Sequence, residues 1–194
     1  NFTTNDSGLM GSAYDADSDG VEGKYYVFSY DEIKHLEDID KFFEIDTNGN
    51  WENKIILIEK KLPPKDLIKK LMNIRLKKNK PFFDKKIQLD LNCLWISSLV
   101  AANEILPEKK YLEQAETYFI KIEKLFLDKG IHHSYSKNLV FLEDYAFLIN
   151  ALLDLSNATM NFKYTNIAKK LCSEVVDKFY IKEKNIFQKN QKNS

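Results

Sequence analysis

Four acids crowd one short stretch of this chain: Asp15, Asp17, Asp19 and Glu22, with Gly20, Gly23 and Lys24 among them and the aromatic run Tyr25-Tyr26-Val27-Phe28 behind. Two chemistries fit such a run. Asp15, Asp17, Asp19 and Gly20 spell D-x-D-x-D-G, the first half of a calcium loop, where carboxylate oxygens converge on a tight glycine turn. The twelfth position of that loop needs a glutamate and holds Tyr26, and Gly8 to Ala13 does not read as a helix. An EF-hand is therefore not expected, and a cation site of another kind stays open. The other chemistry is a carboxylate-lined pocket. Asp15, Asp17 and Glu22 would carry protons or accept hydroxyl hydrogen bonds, Lys24 would position a ligand, and Tyr26 and Trp51 would offer stacking surfaces. Glycosidases need two carboxyl groups in distinct roles, whereas sugar epimerases more often rely on a histidine base. The competing structural account of these residues is a hydrogen-bonded loop that only shapes a rim.

A second set lies further on. Asp84, Lys86 and Asn92 stand where one apolar helix begins, and Asp144 and Tyr145 where another begins. Acids there, Asp90 and Asp144 included, also suit first-turn positions, because a helix N-terminus attracts negative charge. His132-His133 follows Gly130. Adjacent histidines on an extended segment point to opposite sides, and spacing shows no carboxylate partner, so no metal site is expected and His133 is kept as a pocket histidine. His35 lies on a charged helix and reads as solvated. No nucleophile elbow, phosphate loop or redox cysteine pair occurs, and no cofactor is implied.

These groups are positioned by two different kinds of chain. Residues 1–62 mix short strands, turns and one helix. Tyr25 to Phe28 reads as a strand, and Ser29-Tyr30-Asp31-Glu32 is a capping box that predicts a helix to about Glu37. Asp46 to Asn50 is a turn, Ile55 to Ile58 a short strand, and Pro63-Pro64 a break before a helix over 64–78. The remainder, 63–194, reads as helical hairpins. Segments 88–106 and 141–157 are apolar nearly all round, which predicts helices covered on every side. Segments 107–127 and 164–180 carry one apolar stripe each. A shift of 53 residues pairs Leu94 with Phe147, Leu99 with Leu152, Tyr111 with Tyr164, Ile122 with Val175 and Phe126 with Phe179. Each repeat is a buried inner helix followed by an amphipathic outer one, the unit of a solenoid or an α/α toroid.

The 194 residues carry 29 basic and 29 acidic side chains, a balance that argues against non-specific nucleic-acid binding. The lysines at 77, 78 and 80 read as a solvated helix end. No apolar run approaches the length of a membrane span. Cys93 and Cys172 match no metal or redox spacing and read as buried free thiols, which suits a reducing, cytoplasmic setting.

Several blocks, in order, resemble one family. They are Ser12 to Ser18, Glu22 to Val27, Gly49-Asn50-Trp51-Glu52, Pro81 with Asp84 to Ile87, Asn92, and Phe141 to Ile149. The chain is similar over about residues 5–188 to the toroid region of the spermatogenesis-associated, thioredoxin-like proteins and their bacterial YyaL-type relatives. The resemblance implies a mainly α fold, an incomplete α/α toroid of the six-hairpin glycosidase and sugar epimerase kind, with short strands near the N-terminus. It also implies that inner-helix N-termini point into a funnel. Lys85, Leu91, Cys93, Lys80 and Glu143 stand where the family pattern has Asp, Trp, Gly, Arg and Asp. Two hairpins cannot close a ring, and the thioredoxin-like domain of full-length relatives is not in this sequence, so the chain reads as a piece of something larger. Three functions are expected from this. One is an epimerase, isomerase or hydrolase-like carbohydrate pocket, with Asp15, Asp17, Glu22, Asp84 and Asp144 as acids and Lys86 and Tyr145 as positioning groups. Another is a non-catalytic scaffold that partners a thioredoxin-like part or self-associates through open hairpin edges. The third is a degenerate remnant without activity.

Overall fold

The computed structural model describes residues 7–128, 130–134 and 139–191 and is mainly helical, with a few two-residue strands. Its contacts divide the chain into two compact units, residues 14–84 and residues 1–13 with 85–194. The division does not fall at Pro63-Pro64. The helix after the prolines buries Leu67 and Leu71 in the same core as Phe28, Ile33 and Ile55, so it belongs to the first unit.

In the 14–84 unit, α1 (Tyr30–Ile33) starts at the expected capping box, where the Glu32 carboxylate accepts the Ser29 N–H at 2.7 Å. It ends after one turn rather than at Glu37. Leu36 N–H bonds back to the Ile33 carbonyl, and Asp38 takes a left-handed backbone before α2 (Ile39–Phe42) begins. Tyr25 to Phe28 is not a strand either. Tyr26 and Val27 both donate to the Gly23 carbonyl, and a turn forms that leaves only Phe28 to bridge Ile55. Phe43–Glu44 pairs antiparallel with Ile58–Glu59. The expected turn at 46–50 is present, with Asn48 N–H on the Asp46 side chain and Gly49 N–H on the Asp46 carbonyl. α3 (Lys65–Leu76) follows Pro64, which sits at the N-cap with φ −64°.

The second unit is two helical hairpins. α4 (Leu89–Ile105) packs on α5 (Tyr111–Ile122), which runs on into a wider turn of helix at Glu123–Leu127. α6 (Leu142–Thr159) packs on α4 and on α7 (Phe162–Phe179). The N-caps of the inner helices, Gln88 and Phe141, lie 53 positions apart, the shift that the apolar pattern shows. Leu89, Ile96, Phe119, Ile122, Phe126, Leu148, Leu152 and Phe179 fill one core between the four helices. Leu9 joins it and is anchored by Asn92, whose side chain bonds both the N–H and the carbonyl of Met10.

Two expectations about coverage fail here. Neither inner helix is covered all round: Leu91, Leu94 and Trp95 on α4 and Leu153 on α6 are each about 40% exposed. Cys93 is buried, but Cys172 is exposed. The inward stripe of α7 runs through Tyr164, Ala168, Leu171 and Phe179, and Cys172 falls just off it.

Candidate functional site

His133 has a ring that is held from several sides. Its backbone is pinned first: Leu89 N–H donates to the His133 carbonyl at 2.9 Å, and His133 N–H donates to the Leu139 carbonyl. This holds the segment before α6 against the start of α4. The ring then lies between two side chains, with Nδ1 2.9 Å from Asp144 Oδ1 and Nε2 2.8 Å from Gln88 Nε2. An amide N–H on Nε2 leaves the ring proton on Nδ1, where it donates to Asp144. The Phe141 ring closes one side at 5.0 Å.

Asp144 is the third residue of α6 and is fully buried. Its other oxygen, Oδ2, accepts the Phe141 N–H at 2.9 Å, so the acid caps its own helix while it holds the histidine. Asp90, in the first turn of α4, is half-buried, and its Oδ1 accepts the Leu91 N–H. The ligand atoms of Asp90, His133 and Asp144 all lie within 4.8 Å of one another. Burial pushes the Asp144 carboxyl above the usual aspartate range, against the opposing pull of the His133 and Phe141 hydrogen bonds. Burial likewise pushes the Cys93 thiol up, with Asp90 and Asp144 adding to the effect, so Cys93 is not a nucleophile.

The neighbouring candidates are committed to packing. Asn92 Oδ1 accepts from Met10 N–H and the Tyr118 hydroxyl, and its amide donates to the Met10 and Gln88 carbonyls. With all four bonds made and no exposure, Asn92 is a strut rather than a ligand-facing group. The Tyr145 hydroxyl donates to Glu174 and accepts from Lys178, both on α7. Lys86 is exposed, and its carbonyl accepts the Ser12 hydroxyl.

In the 14–84 unit a cleft of about 430 Å³ opens beside Trp51. Glu22, Lys24, Ser29, Glu32, Glu52, Lys54 and Lys78 supply its polar lining. Gly23 has φ +68° and lies so close to Trp51 that a Cβ would meet the ring at 3.1 Å, which fixes the indole against the loop backbone. Lys24 binds Asp19 at 2.9 Å, and Asp19 also accepts from Asn79. The Lys24 and Asn79 hydrogen bonds hold the Asp19 carboxyl below its ordinary value. Lys78 is not a solvated helix end. Its side chain is only 17% exposed, its ammonium donates to the Val27 carbonyl and pairs with Glu32, and it lies 4.8 Å from the centre of the Phe28 ring. Burial works against ionisation of Glu32, but the Ser29 N–H and Lys78 outweigh it and hold that carboxyl below its usual value.

The structure thus gathers some of the expected residues and disperses others. His133 and Asp144 touch, and Glu22, Lys24 and Trp51 line one cleft. Asp15, Asp17, Tyr26 and Asp84 are not among the residues that line it. Asp15 N–H bonds the Phe82 carbonyl, and its carboxylate accepts the Asp17 N–H. Asp17 pairs across a two-residue ladder with Glu22. Tyr26 is exposed and lies under the Arg75 guanidinium. Asp84 ends the short strand Phe83–Asp84 and is half-buried. Among the described residues the acids of the 15–19 loop do not converge as metal ligands. Sequence reasoning missed Gln88, Glu32, Lys54 and Lys78 as site-lining groups and read Asp90 only as a first-turn acid. The capping box at Ser29 already named Glu32, but its second partner, Lys78, lies 46 residues away in sequence.

The chain matches no family model and no curated protein sequence. No helix among the described residues is long and apolar enough to cross a membrane.

Proposed function

We propose that this chain binds a small carbohydrate in the Trp51 cleft of the 14–84 unit. The observation that carries the proposal is the shared lining of that cleft by Glu22, Lys24 and Trp51, joined by Glu32, Lys54 and Lys78. An indole face beside alternating carboxylates and ammoniums is what a polyhydroxylated ring needs. The apolar C–H face stacks on the aromatic plane, while hydroxyls donate to carboxylates and accept from lysines. Glu22, Glu32 and Glu52 are the carboxyl groups that line this cleft, so any epimerase, isomerase or hydrolase-like proton transfer there falls to members of that set. The incomplete α/α toroid implied by the family resemblance would suit this ligand class, and the two packed helical hairpins support that reading.

The test is a panel of neutral, amino and acidic monosaccharides titrated by calorimetry into the purified chain. The proposal expects saturable binding by at least one sugar, lost in Trp51→Ala and weakened at least tenfold in Glu22→Gln. It fails if a folded chain binds none of them, or if both variants bind as wild type does.

A second reading is favoured by a different observation. Leu91, Leu94, Trp95 and Ile105 form an exposed apolar stripe along α4. On this reading the protein is a non-catalytic scaffold that covers the stripe by self-association or with a thioredoxin-like partner.

A further inference from the structure

We propose that Asp90, His133 and Asp144 bind one divalent transition-metal ion of the zinc kind. The inference stands apart from the carbohydrate reading and uses none of its residues. One imidazole and two carboxylates form a donor set that suits zinc, whereas calcium and magnesium prefer oxygen alone. In a tetrahedral zinc site the ligand atoms stand about 3.3 Å apart, given bonds of roughly 2.0–2.2 Å. His133 Nδ1 and Asp144 Oδ1 are already at 2.9 Å, and no pair of ligand atoms is more than 4.8 Å apart. The widest gap therefore has to close by about 1.5 Å, a distance within reach of an Asp90 side-chain rotation.

Two of the ligands are held from behind. Asp144 is fixed by the Phe141 N–H and His133 by two backbone hydrogen bonds and Gln88, while Asp90, whose Oδ1 accepts the Leu91 N–H, is the ligand that moves. Metal-bound histidines characteristically donate their second ring nitrogen to an outer partner, and Gln88 occupies that place at 2.8 Å. Binding moves the ring proton from Nδ1 to Nε2, and the Gln88 amide turns its oxygen to accept it. The proton count on the imidazole does not change. Electrostatics decide in favour of a cation. The N-termini of α4 and α6 each bring roughly half a positive charge, but two ionised carboxylates outweigh them. Asp90 and Asp144 also repel each other in the apo site, and a dication removes that repulsion. The His133 side chain is 21% exposed and Asp90 is half-buried, so an ion can enter from solvent. Three protein ligands leave the fourth position to water, the arrangement of a reactive rather than a purely structural zinc.

The test strips the full chain with a chelator, exchanges it into chelator-free buffer and titrates it with Zn²⁺ by calorimetry. Metal content is then measured after gel filtration, and Co²⁺ is substituted to read its visible bands. The expected result is one ion per chain and a tetrahedral cobalt spectrum. Asp90→Asn and His133→Ala should each weaken binding at least tenfold, and Gln88→Ala by about tenfold or more. His35→Gln and Cys172→Ser remove other donors and should change nothing. Asp90→Asn keeps a first-turn residue on α4 and is checked for wild-type circular dichroism, so its loss of zinc cannot be assigned to unfolding. The proposal is overturned if the folded wild type retains no zinc. It is equally overturned if Asp90→Asn and His133→Ala bind as tightly as wild type does.

Discussion

Asp144 offers the sharpest test of how the hairpin unit is held. The carboxylate is fully buried and serves two donors, the Phe141 N–H and the His133 ring, each at 2.9 Å. Asp144→Ala removes a helix-capping bond worth ~1 kcal/mol and a charge-assisted bond worth about 1.5–3 kcal/mol. Part of this is returned, because the burial cost of the carboxylate disappears with it. The net expectation is a loss of ~3 kcal/mol, or about 6–12 °C in Tm for a chain of this size. Asp144→Asn should cost only ~1 kcal/mol. Its oxygen can accept from Phe141, its amide can donate to His133 Nδ1, and the imidazole proton moves to Nε2. The two variants also differ from wild type in pH dependence. Because the folded-state pKa of Asp144 is raised, the native protein holds that proton more tightly than the unfolded chain does. The contribution of Asp144 to stability therefore falls as pH rises from the ordinary 3.8 through the raised value. Asn at this position abolishes that fall. The assay is urea unfolding followed by far-UV circular dichroism at several pH values, in chelator so that no metal contributes. A shift in midpoint at constant slope reports the cost. If Asp144→Ala costs less than 1 kcal/mol, or if Asn is as damaging as Ala, the paired-donor account is wrong.

Gly49 has φ +85°, and a Cβ there would meet backbone atoms of Asn53 and Lys54 at 2.5–2.6 Å. Gly49→Ala should therefore destabilise the 14–84 unit by more than ~1 kcal/mol, measured by thermal melting. Glu32 has a lowered folded-state pKa, so its stabilisation is present above its unfolded value of 4.5 and is lost as pH falls through the folded one. Glu32→Gln should flatten that acid limb in denaturation curves taken between neutral pH and pH 3. The exposed stripe on α4 should drive concentration-dependent association, and Leu94→Lys with Trp95→Glu should shift sedimentation profiles towards monomer without lowering helix content. Leu148→Ala empties a fully buried core site and should cost about 2–5 kcal/mol in urea unfolding.

The helical half was readable because its information is periodic. An apolar residue every three or four positions places α4, α6 and α7 within one or two residues of their ends, whereas α5 starts four residues after the expected 107 and gives way to a wider turn after Ile122. The 14–84 unit was less readable, because single backbone bonds override its propensities. Tyr25 to Phe28 is rich in strand formers, yet the Gly23 carbonyl captures the N–H groups of Tyr26 and Val27 and makes a turn. The capping box located α1 correctly, but nothing local announces the left-handed Asp38 that lies beyond its end. Site residues were legible as types and not as partners. His133 and Asp144 were both singled out, but their contact depends on a segment that leaves α5, touches the start of α4 and returns to α6. Gln88 is 45 residues from the ring nitrogen it meets, and Lys78 is 51 residues from the Val27 carbonyl. No pattern within a sequence window carries those distances.

The internal repeat sharpens what is unusual about the polar cluster. The 53-residue shift places Leu91 opposite Asp144 and Asn92 opposite Tyr145, each pair at the same turn of its inner helix. At the second of these positions the chemistry differs but the task is shared. Asn92 ties α4 to Tyr118 on α5, and Tyr145 ties α6 to Glu174 and Lys178 on α7. At the first position the task itself changes. Leu91 lies on the exposed flank of α4, whereas Asp144 is sealed and bonded to His133. Packing alone does not explain this, since an apolar residue in a buried first turn avoids the desolvation cost that a carboxylate incurs. The carboxylate is retained where a histidine and a second acid converge on it, and that acid, Asp90, comes from the first turn of α4, so the two inner-helix starts contribute unlike residues to one cluster. The repeat builds the scaffold, and the departure from the repeat marks where the scaffold was given something further to hold.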